Sequence, residues 1–135
     1  MKVQTLDGHI HSVRLEKYRK SPKNKSSYHL KAREVLRELF PLHHVYEEVY
    51  VKLLKSNRAY LDFFIYSLGV VIEVHGEQHF SQNSFMHGDK LKFLQQQRRD
   101  RLKREWCELN EFTLIELHYD ESEQQWRDKL NSIYE

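Results

Sequence analysis

The stretch 61–80, L-D-F-F-I-Y-S-L-G-V-V-I-E-V-H-G-E-Q-H-F, drives ionisable groups into the most hydrophobic part of the chain. Residues 70–74 are β-branched almost throughout and read as a strand covered on both faces, with Glu73 and His75 at its end. Two residues apart, these side chains share one face of a pleated strand. Residues 61–66 read as a second strand and 67–69 as the turn between them, with Asp62 facing the same way as Tyr60 and Phe64. Such a hairpin brings Asp62 beside Glu73. Two carboxylates in a partly dry place repel each other unless a proton or a cation compensates, and a hard divalent cation such as Mg²⁺ suits oxygen ligands. Any one of these acids alone is more simply a strand-end carboxylate satisfied by backbone amides or arginines. Taken together, Asp62, Glu73, His75, Glu77 and His79 point to a metal site in which Asp62 and Glu73 are the ligands.

The flanking elements must position that hairpin. Ser26 or Ser27 caps a helix running to about Phe40, which Pro41 stops, and its core stripe is Ala32, Leu36 and Leu39. His29 falls on that stripe, either as a satisfied core histidine or, because this face packs on the sheet carrying Asp62 and Glu73, as an additional site residue. Residues 45–54 alternate as a half-buried strand with Val45, Val49 and Val51 on one side. Glu47 lands on that apolar side, as a salt-bridged structural carboxylate or as a further member of the metal site. Residues 55–58 read as a polar turn. After the hairpin, the loop 82–88, with Phe85, Met86 and His87, is long enough to form a flap. Asp89 caps a helix to about Trp106 with a stripe of Leu91, Leu94, Leu102 and Trp106, while Asp100 and Lys103 share a neighbouring face. Residues 112–117 form a last buried strand, and Ser122 caps a short helix through Trp126, Leu130 and Ile133.

A chain of 135 residues supports one core, and 31 % charged against 39 % hydrophobic residues indicates a folded protein with a strongly polar surface. The formal charge is only +2. It is uneven: within 1–25, seven basic residues face Asp7 and Glu16, a local excess of five positive charges. This segment, with weak periodicity and the S-P-K-N-K-S-S run, reads as a loosely paired basic arm that orders on a polyanionic partner, through Lys17, Arg19, Lys20, Lys23 and Lys25. Arg98, Arg99, Arg101 and Arg104 on the long helix are either a solvated face or further phosphate contacts. The single Cys107 and the absence of a signal-peptide pattern predict an intracellular, cytoplasmic setting. No apolar run approaches a membrane span. Internal repeats, a Gly-rich phosphate loop and zinc-finger cysteine spacing are all missing.

The order is helix, strand, strand, strand, helix, strand, with an acid on the second strand and E-x-H on the third. Over residues 26–119 this resembles the PD-(D/E)XK, or restriction-endonuclease-like, nuclease fold. More narrowly, I-E-V-H-G-E-Q-H-F, then a helix with D-x-x-K at Asp100 and Lys103, then W-C-E-L-N and L-I-E-L, is similar to phage-borne nucleases related to very-short-patch repair endonucleases and EDxHD homing endonucleases. The resemblance implies an α/β (α+β) single-domain core over 26–135, with a mixed central sheet flanked by helices and a short C-terminal helix added. Leu61 stands where the broad family has a proline, and His75 where it has a lysine.

The expected activity is Mg²⁺- or Mn²⁺-dependent endonucleolytic hydrolysis of DNA, with RNA also open, as a monomer or weak homodimer. Asp62 and Glu73 hold the metal, His75 or His79 serves as base or ligand, Lys103 offsets transition-state charge, and Asp100 orients His79 or Lys103. The competing expectations are a non-catalytic nucleic-acid-binding module on the same fold and a catalytic subunit that needs a targeting partner.

Overall fold

The computed structural model describes residues 1–77 and 87–134. Its elements are β1 (Lys2–Gln4), β2 (Ile10–Ser12), α1 (Ser27–Leu39), β3 (Tyr46–Leu54), β4 (Asn57–Ile65), β5 (Val70–His75), α2 (His87–Leu109), β6 (Thr113–His118) and α3 (Glu123–Asn131). The mixed α+β class and the order α-β-β-β-α-β with a C-terminal helix are as the sequence predicts. Four strands form one sheet in the order β3-β4-β5-β6, antiparallel except for the β5–β6 pair, which α2 connects as a crossover. No helix among the described residues is long and apolar enough to cross a membrane.

The period-two pattern of β5 divides the core between the two sheet faces. Val70 and Ile72 join Ala32, Val35, Leu36, Trp126 and Leu130, so α1 and α3 cover one face. Val71 joins Leu102, Trp106 and Cys107 of α2 on the other, which directs Glu73 and His75, on the same side as Val71, toward α2. The helices begin and end where their side chains dictate. Ser26 accepts a hydrogen bond from the His29 amide at 3.2 Å, and Ser122 with Gln125 forms a capping box at α3. Gly69, at φ +63°, closes the β4–β5 turn in a conformation that glycine adopts without the Cβ penalty.

Three sequence expectations are corrected. Residues 1–25 are not a loose arm: β1 and β2 pair, and Val3, Val13 and Leu15 are buried against Val49, Val51 and Leu53. Charged neighbours dilute their apolar signal in the sequence, and burial needs only three well-placed residues. Leu91 and Leu94 do not line the core. They are 59 % and 54 % exposed, because α2 begins packing on the sheet only in its second half, at Asp100, Leu102, Lys103 and Trp106.

Strand β3, finally, does not hold one alternation. Val49, Val51 and Leu53 face α2, yet Val45 packs with the α1-side cluster and Glu47 meets His29 of α1, so the two halves of the strand present opposite parities. The reversal occurs at Glu48, a non-glycine residue at φ +52°, and at Asp62 opposite it, since Leu61 joins the α2-side cluster and Phe63 the α1-side one. Tyr60 and Phe64 thereby part company, one exposed and the other fully buried. Left-handed backbone at a residue with a Cβ costs on the order of 1–2 kcal/mol. It is retained where the surrounding structure demands it, often at functional sites.

Because the N-terminal hairpin is part of the core, Leu15→Ala should cost about 2 kcal/mol and deletion of residues 1–15 should abolish cooperative unfolding. Urea denaturation followed by circular dichroism checks this; an arm that orders only on a partner would leave the midpoint unchanged.

Candidate metal and nucleic-acid site

The β4–β5 ladder runs only from Ile65–Val70 to Phe63–Ile72. Beyond it the strands are joined through side chains. The Asp62 amide donates to Glu73 Oε2 at 2.7 Å, and the Val74 amide donates to Asp62 Oδ2 at 2.8 Å. Each carboxylate thus satisfies a backbone donor that the ladder leaves unpaired, and the adjacency expected from the sequence is realised.

From this fork opens a cleft of about 530 Å³, lined by residues including His29, Glu48, Asp62, Glu73, His75 and Lys103. His29, Glu48 and Asp62 each offer one ligand atom, and these atoms lie within 4.8 Å of one another. The His29 ring is fixed from behind: Nε2 lies 2.7 Å from Glu47 Oε1, and the ring stacks on Phe63. A bond from one ring nitrogen to a carboxylate is the arrangement by which metal-binding histidines are oriented, and it leaves Nδ1 as the nitrogen a metal could take. Glu47 is the support in this set. Arg33 holds both its oxygens at 2.8 and 2.9 Å, and hydrogen bonds from His29 and Arg33 overcome the effect of burial to bring it down to about 2. Its two readings resolve toward the structural carboxylate, one contact behind the site.

Glu73 is buried at 3 % exposure and pushed up to about 8, first by loss of water and then by the Asp62 charge, against the pull of the Lys103 ammonium. The Lys103 ammonium bonds Glu73 Oε1. Burial alone would lower the lysine, but Glu73 and Asp62 more than offset it and hold it above its ordinary value. Two acids and one amine in a dry place therefore retain a proton beyond the amine's own. A divalent cation supplies the same compensation, and the mixed oxygen and imidazole donor set fits Mn²⁺ as well as Mg²⁺.

Asp100 and Lys103 do lie on one face of α2, both nearly buried and turned toward β5. Asp100 Oδ2 lies 3.9 Å from His75 Nδ1, and Gln96 donates to Asp100 Oδ1 at 2.9 Å. His75 Nε2 lies 3.0 Å from Glu116 Oε1, and its ring stacks on His118. With both ring nitrogens facing carboxylates, His75 is braced between α2 and β6. Glu116 is brought down to about 2 chiefly by its hydrogen bond from His75, with Arg104 assisting against burial.

Glu77 is exposed and does not line the cleft. His79 and most of the expected flap lie outside the described residues, and α2 is already helical at His87. Lys17, Arg19, Lys20 and Lys23 are exposed, as are Arg98, Arg99, Arg101 and Arg104. Of these only Arg99 lines the cleft, and Arg104 is engaged by Glu116 at 3.0 Å. Lys25, half-buried, bonds Glu48.

The sequence reading did not include Glu48, Glu116 or His118. Glu116 and His118 carry a readable signal: a parallel β6 in register with β5 pairs Glu116 with Glu73 and His118 with His75. Glu48 carries none, because its approach depends on the left-handed turn within β3.

Part of this chain is similar to a viral protein. Over 64 residues it is 39 % identical to the uncharacterized protein 033L of Invertebrate iridescent virus 3. The match spans 47 % of this chain and 33 % of that protein, so the chain corresponds to about a third of its relative. No family model and no solved structure matches.

The raised Glu73 makes a prediction with a definite sign. A folded-state carboxyl above its unfolded value binds more protons in the native state, so without divalent metal its contribution to stability falls as pH rises from about 4.5 toward 8. Urea unfolding of wild type and Glu73→Gln across that range, in EDTA, should show this decline in the wild type and not in the variant. Parallel pH profiles would mean that Glu73 titrates like an ordinary carboxyl.

Proposed function

We propose that this chain is a metal-dependent nuclease that hydrolyses phosphodiester bonds of DNA, of the PD-(D/E)XK type that its D…E-x-H…D-x-x-K pattern resembles. The observation that carries the reading is one cleft in which Asp62, Glu48 and His29 converge beside the buried Glu73–Lys103 pair, with Lys25, Arg58 and Arg99 on its walls. Acids facing a basic wall would repel a bare phosphate, whereas a cation among them turns the same acids into an attachment point for it.

Asp62, Glu48 and His29 would hold Mg²⁺ or Mn²⁺, with Glu73 adjoining through its bond to the Asp62 amide. When bound, the metal supplies Lewis-acid polarisation of a phosphate oxygen and a water of lowered pKa. The chain's own contributions are distinct from this. Glu47 and Arg33 keep the His29 ring in place, and Glu116 and Asp100 do the same for His75. Lys103 carries a charge held by two carboxylates, able to turn to a phosphate oxygen as negative charge accumulates there. The cations of the cleft wall position the strand without reading its sequence.

A second reading rests on the same lysines. Lys103 on Glu73 and Lys25 on Glu48 already compensate part of the acidic charge, which suits a nucleic-acid-binding module that does not cut. A virus-encoded protein acting inside its host cell accords with the viral relative.

Supercoiled plasmid incubated with Mg²⁺ or Mn²⁺ separates the two. Metal-dependent nicking that EDTA stops is the expected result, with Asp62→Ala and Glu73→Gln inactive and Lys103→Ala lowering the maximal rate by ~10² while binding changes little. Salt-sensitive retention of the plasmid with no cleavage in either metal would establish the binding module.

A further inference from the structure

On the far side of Glu47 lies a second cleft, of about 350 Å³, formed by α1, the segment before it and the start of β3. Arg19, Arg33, Arg37, His43 and His44 line it, backed by the apolar surfaces of Phe40, Pro41 and Val45. Three guanidiniums face the single carboxylate of Glu47, which leaves two positive charges without an anion among the described residues that line the cleft, even when both histidines are neutral.

The protein's own acceptors use only part of this donor set. Arg33 is committed, to both Glu47 oxygens and to the Pro22 carbonyl at 2.8 Å. Arg37 donates one bond, to Ser21 Oγ at 3.0 Å. Arg19 is exposed and engages no carboxylate among the described residues. A guanidinium has five donors in a fixed fork, so Arg37 and Arg19 together hold more N–H groups toward this cleft than the chain's neutral acceptors occupy.

We propose that this cleft binds a phosphate group, held mainly by Arg19 and Arg37. Guanidinium forks match the tetrahedral oxygens of a phosphate in bidentate fashion, and the cleft is open enough to admit one with its substituent. Glu47 links the two clefts: it lines the second and reaches the first only through His29, with its Oε1 bonded to both His29 and Arg33. If the chain acts on nucleic acid as proposed above, the second cleft takes another phosphate of the strand whose scissile group lies in the first. That placement rests on the nuclease reading; the phosphate site itself does not.

The test is made in EDTA, where nothing is cut. Inorganic phosphate is titrated into wild type, Asp62→Ala, Arg19→Ala and the double variant Arg19→Ala/Arg37→Ala by calorimetry, followed by short single-stranded oligonucleotides that differ only in a 5′-phosphate. Wild type and Asp62→Ala should bind phosphate alike, with affinity falling about tenfold for each guanidinium removed. Arg19→Ala keeps the test sound should loss of Arg37 loosen the Ser21 contact. Preference for the 5′-phosphorylated strand identifies a strand end as the source, equal arginine-dependent binding of both strands identifies the backbone diester, and binding of inorganic phosphate alone identifies the free ion. Absence of saturable phosphate binding, affinity unchanged in both arginine variants, or affinity lost only in Asp62→Ala would overturn the proposal. A chain that cuts no DNA yet loses phosphate with Arg19 keeps this site while losing the nuclease reading.

Discussion

Two hydrogen bonds cross the fork between β4 and β5, from the Asp62 amide to Glu73 and from the Val74 amide to Asp62, and the site depends on them. Where the ladder ends, an unpaired buried amide costs free energy comparable to a lost hydrogen bond, and here the acids themselves supply the missing acceptors. The carboxylates are therefore part of the strand pairing, which explains how charged groups are tolerated beside Phe63, Ile72 and Val71. It also fixes their separation, since neither can move without breaking a strand-to-strand contact.

Holding acids together in this way creates a charge problem that elements distant in sequence solve. Lys103 comes from α2 and Lys25 from the segment before α1, and each lies on a different acid of the cleft. Lys103 does not offset the burial of Glu73 and the nearby Asp62 charge completely, as the upward shift of Glu73 shows. A further positive charge in such a cleft would compensate what the lysines leave. The outer supports, Glu47 with Arg33 and Glu116 with Arg104, involve carboxylates brought well below their ordinary range, so they are fixed charges around a centre that titrates.

The legible parts of the molecule follow from local rules. The spacing of Glu73 and His75, the turn ending at Gly69, the Ser26 and Ser122 caps and the three-residue offset of Asp100 and Lys103 all translated into geometry, because each depends on one element's period. What was illegible depends on two elements at once. Leu91 and Leu94 have helical spacing but are exposed, and Val3, Val13 and Leu15 find a core only by joining residues far along the chain, those of β3 among them. The parity reversal at Glu48 is the clearest case: no turn residue marks it, and it brings Glu48 into the cleft while directing Glu47 to His29 and Arg33. A pattern of alternation read across that point assigns the second half of the strand correctly and the first half to the wrong face.

The central claim is that the braced acids form a cation site with Glu48 and His29, and Mn²⁺ binding observed by electron paramagnetic resonance tests it most directly. The account predicts one saturable Mn²⁺ per chain, displaced by excess Mg²⁺ and lost in Asp62→Asn and Glu48→Gln, with Glu116→Gln binding as wild type does. Stoichiometric binding that survives both cleft substitutions, or no saturable binding in the intact protein, would contradict it.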